Sequence, residues 1–230
     1  MLTSEHPSVQ DVLKIAEDLA NENKFLDVHT LYQRAKRKLK IPRKGLLQII
    51  QLLIDNKFLV DGSKFTRDSV LENQHRNRVL QIILHNLGIH FSALKRNFFA
   101  KNMGSTGQLV WHLDMLIKFN YIKKIYFKNY AIFVPSNIDE EEGLVYFLLR
   151  DNTNRQIFYL FNDRRCVEKK VIYERLAKAR ETIYYHLKEL EITGILVSKD
   201  DGLICIASNI YQMLKTLFKD TQLRIIKKET

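Results

Sequence analysis

Seven histidines, two cysteines and a surplus of lysine and arginine are the side chains with which this chain could do chemistry. His75, His85 and His90 lie close in sequence, yet their spacings fit no usual metal-binding pattern. His112 and His186 stand beside apolar stripes and read as fold or groove-edge residues rather than ligands or bases. Cys166 and Cys205 are far apart, which suggests neither a disulfide framework nor a zinc knuckle. There is no glycine-rich phosphate loop, no His-Glu-x-x-His, and no serine or cysteine nucleophile with a recognisable companion. The expectation is a non-enzyme without cofactor or metal.

The cations carry more information. The 230 residues have a net charge of +11 and a pI near 9.5, a balance that favours a polyanionic partner. Residues 1–72 hold 12 Lys/Arg against 10 Asp/Glu, and residues 138–230 hold 16 against 15. Residues 73–137 hold 9 against 1, the single acid being Asp114. Ordinary solvated surfaces mix signs. Arg76, Arg78, Lys95, Arg96, Lys101, Lys118, Lys123, Lys124 and Lys128 therefore point to a phosphate-facing surface.

A second basic cluster places seven cations in eleven residues with no acid between them: Arg34, Lys36, Arg37, Lys38, Lys40, Arg43 and Lys44. It suits a phosphate clamp, or a contact for acidic protein or lipid headgroups. Asp139-Glu140-Glu141-Glu142 suits a helix N-terminus, where the helix dipole favours acids. Mimicry of a polyanion, or docking on a basic unit, is the alternative.

An internal repeat supplies the elements that must position these groups. Gln108-Leu-Val-Trp-His-Leu-Asp-Met-Leu116 is answered, 74 residues on, by Thr182-Ile-Tyr-Tyr-His-Leu-Lys-Glu-Leu190. Leu109, Leu113 and Leu116 align with Ile183, Leu187 and Leu190, the i, i+4, i+7 stripe of an amphipathic helix. Asn77-Arg78-Val79-Leu80 similarly answers Asn154-Arg155-Gln156-Ile157.

Each copy reads as three helices and a hairpin. In the middle copy, helices are expected over 73–86, 91–101 and from Gly104-Ser105-Thr106 onward, with Gly88 breaking the first and hydroxyls capping the third. Residues 122–134 should form two strands turning at Lys128-Asn129, and the last hairpin should turn at Asp200-Asp201-Gly202. A fainter copy fills the first 70 residues, with helices near 8–23, 28–39 and 44–56 and a tight hairpin at Asp61-Gly62. A last helix carries Ile210, Met213, Leu214, Leu217 and Phe218 on one face, which either packs on its own domain or makes a homodimer.

The string Asn77-Arg78-Val79-Leu80, Leu87-Gly88-Ile89-His90-Phe91 and Gly107-Gln108-Leu109-Val110-Trp111-His112-Leu113 closely resembles archaeal winged helix-turn-helix regulators of the MarR/ArsR-like kind. Tyr185-His186-Leu187-Lys188-Glu189-Leu190 with Gly194-Ile195-Leu196 looks the same. The resemblance covers residues 73 to about 207 well and residues 8–70 in outline. It implies a mainly α fold with short β-hairpins (α+β): winged helices at 1–72, 73–137 and 138–208, then a C-terminal helix and tail at 209–230. The family usually has one or two such domains per chain, so a third raises the chance that one is a scaffold.

The resemblance also implies that the third helix of a copy enters the major groove of double-stranded DNA while the wing touches the backbone. With its leucines inward, the third helix of the middle copy presents Gly107, Gln108, Trp111, Asp114 and Lys118. Gln108 there can pair with adenine, and Trp111 either packs at a base edge or makes a domain–domain contact. Lys123, Lys124 and Lys128 fall on the wing, and Lys95, Arg96 and Lys101 on the helix that crosses the backbone. The last copy offers Lys178, Glu181, Thr182, Tyr185 and Lys188, a mixed surface.

Hydrophobic residues make up 46% of the chain, enough for packed cores. No apolar run is long enough to span a membrane, and the N-terminal stretch lacks the pattern of a signal peptide. A cytoplasmic, nucleoid-associated regulator or architectural DNA-binding protein is the leading expectation. The alternative is a protein-interaction scaffold, since tandem winged helices also build the ESCRT-II assembly and parts of transcription machinery.

Overall fold

An apolar stripe running along a helix must be covered, and covering such stripes organises every part of this chain. The computed structural model describes residues 3–100 and 104–219. The chain divides into two compact units, Met1–Ile138 and Asp139–Thr230. It is mainly helical, with small antiparallel sheets.

The first unit opens with α1 (Pro7–Asn21), α2 (Val28–Lys38) and α3 (Arg43–Asp55). Pro7 starts α1 where a missing N–H costs nothing, and Asp27 caps α2 by accepting the Thr30 N–H at 2.8 Å. Val12, Ala16 and Leu19 of α1 close over Leu31 and Ala35 of α2 and over Leu46, Ile50 and Leu53 of α3. The expected hairpin is reduced to isolated bridges, Leu26 to Ser63 and Leu59 to Thr66.

The same unit continues with α4 (Gln74–Asn86), β1 (Ile89–His90), α5 (Phe91–Phe99), α6 (Thr106–Lys118), β2 (Ile122–Phe127) and β3 (Tyr130–Pro135). The strands form a sheet in the order β1-β3-β2, with Ile89 opposite Phe133 and Phe127 opposite Tyr130. Leu109, Leu113 and Leu116 of α6 are buried against Val79 and Ile83 of α4, Leu94 and Phe98 of α5, and Ile122 and Phe133 of the sheet. Each such side chain contributes about 1.5–3 kcal/mol by leaving water. The glycine expected to end α4 does not do so. Leu87 takes the left-handed conformation (φ 55°), its N–H returning to Ile83 O at 2.9 Å, while Gly88 follows as a buried residue.

The second unit comprises α7 (Glu140–Leu148), α8 (Asn152–Tyr159), β4 (Cys166–Glu168), α9 (Lys169–Arg175), α10 (Arg180–Ile192), β5 (Leu196–Ser198), β6 (Leu203–Ile206) and α11 (Ser208–Lys219). Its sheet runs β4-β6-β5, so strand, helix, helix and hairpin recur in the order of α5, α6 and their sheet. Asp139 caps α7 through the Glu142 N–H at 2.7 Å, and the three glutamates occupy the first turn. Gly202 (φ 78°) supplies the left-handed residue of the last hairpin.

One expectation is corrected here. Cys166 and Cys205 are disulfide-bonded, facing each other in the β4–β6 register. Their separation in sequence hid this, because α9, α10 and β5 lie between paired strands. On α11, Ile210, Leu214 and Leu217 are buried within the single chain and Met213 is half-buried. The Phe218 side chain lies outside the described residues.

Residues 1–72 and 73–137 share one unit because cations and rings join them. The Arg76 guanidinium is 1% exposed. It donates to Val70 O at 2.5 Å and lies 5.3 Å from the Phe65 ring and 4.6 Å from the Trp111 ring. Arg76 is thus a buried linker, not part of the basic surface. Among the described residues no acid pairs with it, so the carbonyl and the two ring faces offset its desolvation. Nearby, Tyr121 donates its hydroxyl to Arg67 O at 2.8 Å, and the Arg67 guanidinium sits between the Tyr121 and Phe58 rings at 5.1 and 5.4 Å.

His112 lies beside this linker, 4% exposed, with its ring centroid 5.1 Å from that of Trp111. Burial, with Arg76 and His75 adding repulsion, lowers its pKa to about 4. The unfolded chain therefore binds a proton that the folded chain refuses, and stability rises with pH across that interval. Unfolding of the first unit in urea, followed by fluorescence of the sole tryptophan, should show about 2–3 kcal/mol of stability lost as pH falls from 6.5 to 4.5. His112→Leu should flatten that loss; an equally steep profile in the variant would place its origin elsewhere.

Candidate nucleic-acid interface

The setting of α6 fixes what the middle copy shows to solvent. With Leu109, His112, Leu113 and Leu116 inward, Gly107, Gln108, Val110, Trp111, Asp114 and Lys118 are exposed. Trp111 is 46% exposed although Arg76 covers one face of its ring. One face of the ring touches the linker, and the rest faces solvent.

Ser105 caps α6 by accepting the Gln108 N–H at 3.3 Å, and the Gln108 Oε1 accepts the Ser105 N–H at 2.7 Å. This reciprocal box satisfies two N–H groups that the helix start would leave open. It also commits the Gln108 carbonyl oxygen. A bidentate pairing with adenine needs both the oxygen and the amide nitrogen, so the oxygen would have to accept a second bond or leave the box.

Along β2, alternation separates Lys124 and Tyr126 from Ile125, which is buried. Tyr126 is 72% exposed, with the Lys124 ammonium 4.9 Å from its ring centroid. Lys128 turns the hairpin with φ 52°, its ammonium 5.6 Å from the Phe127 ring. Lys123 is half-buried. Between α6 and this hairpin runs an open groove of about 340 Å³, with Val110 and Asp114 on one side, Lys124 and Tyr130 on the other, and Phe91 and Phe133 beneath. Asp114, the one acid of the segment, thus lines a groove that a lysine also lines. On α5, Arg96 is exposed and Lys95 half-buried; Lys101 lies outside the described residues.

The second unit presents a different face. On α10 and just before it, Lys178, Tyr185 and Lys188 are exposed and Thr182 half-buried, but Glu181 occupies the first turn, which has no side-chain cap. The Lys188 ammonium lies 5.9 Å from the Tyr184 ring. His186, the repeat equivalent of His112, meets Asn154 Oδ1 at 2.9 Å. A hydrogen-bonded imidazole thus replaces a buried one.

The cluster at 34–44 is less uniform than its sequence implies. Acids reach it from α1: Glu22 pairs with Arg34 and Asp18 with Lys38. Bonds from Arg34 and Lys24 hold the Glu22 carboxyl down at about 2. Lys36, Arg37, Lys40, Arg43 and Lys44 remain exposed. Segment totals concealed them, since residues 28–54 contain no Asp or Glu at all and the acids of 1–72 stand on either side. Among the described residues, no group of three His, Cys, Asp or Glu is placed to hold a metal ion, and no helix is long and apolar enough to cross a membrane.

A curated protein of Methanocaldococcus jannaschii, described as an uncharacterized HTH-type transcriptional regulator, is 32% identical to this chain over 181 residues. The match covers 77% of this chain. It spans only 44% of the relative's length. No family model matches the chain, and no solved structure matches it.

Ser105→Ala removes one half of the α6 cap and should cost about 0.5–2 kcal/mol in the urea unfolding of the first unit. Gln108→Ala should cost a similar amount, and the double variant less than the sum, because the two bonds form one box. Strict additivity would show that the box does not act as a unit.

Proposed function

We propose that the chain is a DNA-binding transcription regulator, not an enzyme, made of three tandem winged helices at 1–72, 73–137 and 138–208. In this reading α6 enters the major groove of duplex DNA, the β2–β3 hairpin is the wing, and α5 crosses the backbone. The observation that carries it is the joint exposure of α6 and the lysine-bearing hairpin on either side of one groove, in a segment with a single acid. The name of the Methanocaldococcus relative points the same way.

Lys95, Arg96, Lys118, Lys123, Lys124 and Lys128 neutralise phosphate in this account, while Trp111 and Gln108 approach base edges. With its oxygen on the cap, Gln108 has amide hydrogens to offer. Those suit the acceptors of guanine or thymine better than adenine. The last copy favours a second role, a protein contact: Tyr159, Tyr184, Tyr185, Ile192 and Val197 are all exposed on a segment of nearly balanced charge. Lys178 and Lys188 then contribute little to DNA affinity. A soluble, nucleoid-associated protein fits this function.

A mobility-shift titration against duplex DNA at several salt concentrations tests the reading. About five engaged cations give a log–log slope near −4 to −5. Replacing Lys123, Lys124 and Lys128 with Ala should weaken binding about equally on all sequences and make the slope shallower. No shift at about 50 mM salt, or a slope near zero, would remove DNA as the partner.

A further inference from the structure

Five exposed cations stand at the corner between α2 and α3. We propose that this corner is a second duplex-DNA contact: Lys36, Arg37, Lys40, Arg43 and Lys44 meet phosphates, and the outward face of α3 lies along the groove. This rests on the DNA-binding reading and extends it to the first copy.

Three observations converge. First, the charge is local, and the next acid in the chain is Asp55 at the far end of α3. Arg34 and Lys38 are answered by α1, but the other five are exposed, and no acid occurs anywhere from 28 to 54. A cluster kept for solubility alone would mix signs. Second, the place is the right one. Leu26, α2, α3 and the Leu59–Thr66 pairing follow one another as β1, α5, α6 and the β2–β3 hairpin do. The α2–α3 corner therefore occupies the position of the α5–α6 connection, where this arrangement of helices meets a sugar–phosphate backbone.

Third, α3 has an outward face suited to base edges. Lys44, Gln48, Gln51 and Asp55 follow at i, i+4, i+7 and i+11, opposite Leu46, Ile50 and Leu53, and all four are exposed. Gln51 donates to Asp55 Oδ1 at 2.8 Å, which occupies the acid of that face with an amide N–H. Gln48, unlike Gln108, is not drawn into a helix cap. A membrane contact would want apolar side chains beside the cations, and α3 offers Leu47 at 40% exposed among glutamines. Duplex DNA fits better, because it takes cations at the helix start and amides along its length. The Arg76 linker keeps both contacts within one compact unit, so the second forms at high effective concentration once the first is made.

The test uses the full chain and the duplex on which it shifts, with Lys40→Ala/Arg43→Ala/Lys44→Ala compared with the Lys123, Lys124 and Lys128 replacements. All the corner positions are exposed, and an unchanged circular dichroism spectrum verifies folding. Loss of three phosphate contacts should make the salt slope shallower by about 2.7 and weaken binding at least about tenfold. Gln48→Ala should relax preference at a base position different from that affected by Gln108→Ala. If the wild type binds and the wing variant weakens while the corner variant keeps affinity and slope, this inference is overturned and the DNA-binding reading stands. If the wild type never binds duplex DNA, both fall. If the corner variant loses binding to phosphatidylserine vesicles but not to DNA, the corner is a lipid contact and the proposal is wrong.

Discussion

The buried stripe Leu109–Leu113–Leu116 sets the rotation of α6, and almost everything in the first unit follows from that setting. A helix that must cover three leucines has no freedom to choose its solvent face. Gln108, Trp111, Asp114 and Lys118 are displayed because the leucines are not. The same constraint acts through Leu46, Ile50 and Leu53 on α3 and through Ile183, Leu187 and Leu190 on α10. Three helices of equal length are thus held alike and differ in what they show: amides and cations, a tryptophan in a basic surround, and tyrosines with mixed charge.

The Arg76 linker adds a second constraint. A guanidinium buried without an acid is costly, and its retention ties Phe65 and Val70 of the first copy to Trp111 on α6. The ring on the outward face of α6 therefore belongs also to the joint between copies. A movement of Trp111 would disturb that joint. His112, kept neutral beside the linker, avoids adding a second positive charge there.

The periodic parts of this fold were legible in the sequence. The 74-residue offset located α6 and α10, the glycine at 202 located the last turn, and helix limits on either side of Pro42 came within two residues. What stayed hidden depends on tertiary neighbours. Sequence alone cannot show that Arg76 points inward, because its rings come from Phe65 and Trp111. Nor could it pair Cys166 with Cys205 across three intervening elements, or bring Glu22 and Asp18 onto Arg34 and Lys38. Leu87 in place of Gly88 at the end of α4 is another such case: propensity favoured glycine, and the chain's return into β1 decided otherwise. Of the interface, the basic middle segment was visible from composition. The cation run before α3 was visible too, but not that Glu22 and Asp18 pair with Arg34 and Lys38.

The sole tryptophan stands on the outward face of α6, the face that we propose meets DNA. A duplex titration read by Trp111 emission, with acrylamide quenching measured before and after saturation, tests that contact most directly. The account predicts a change in emission that saturates with the mobility shift, and a clear drop in quenching as the ring is covered. Saturable DNA binding that leaves both the emission and the quenching of Trp111 unchanged would contradict it.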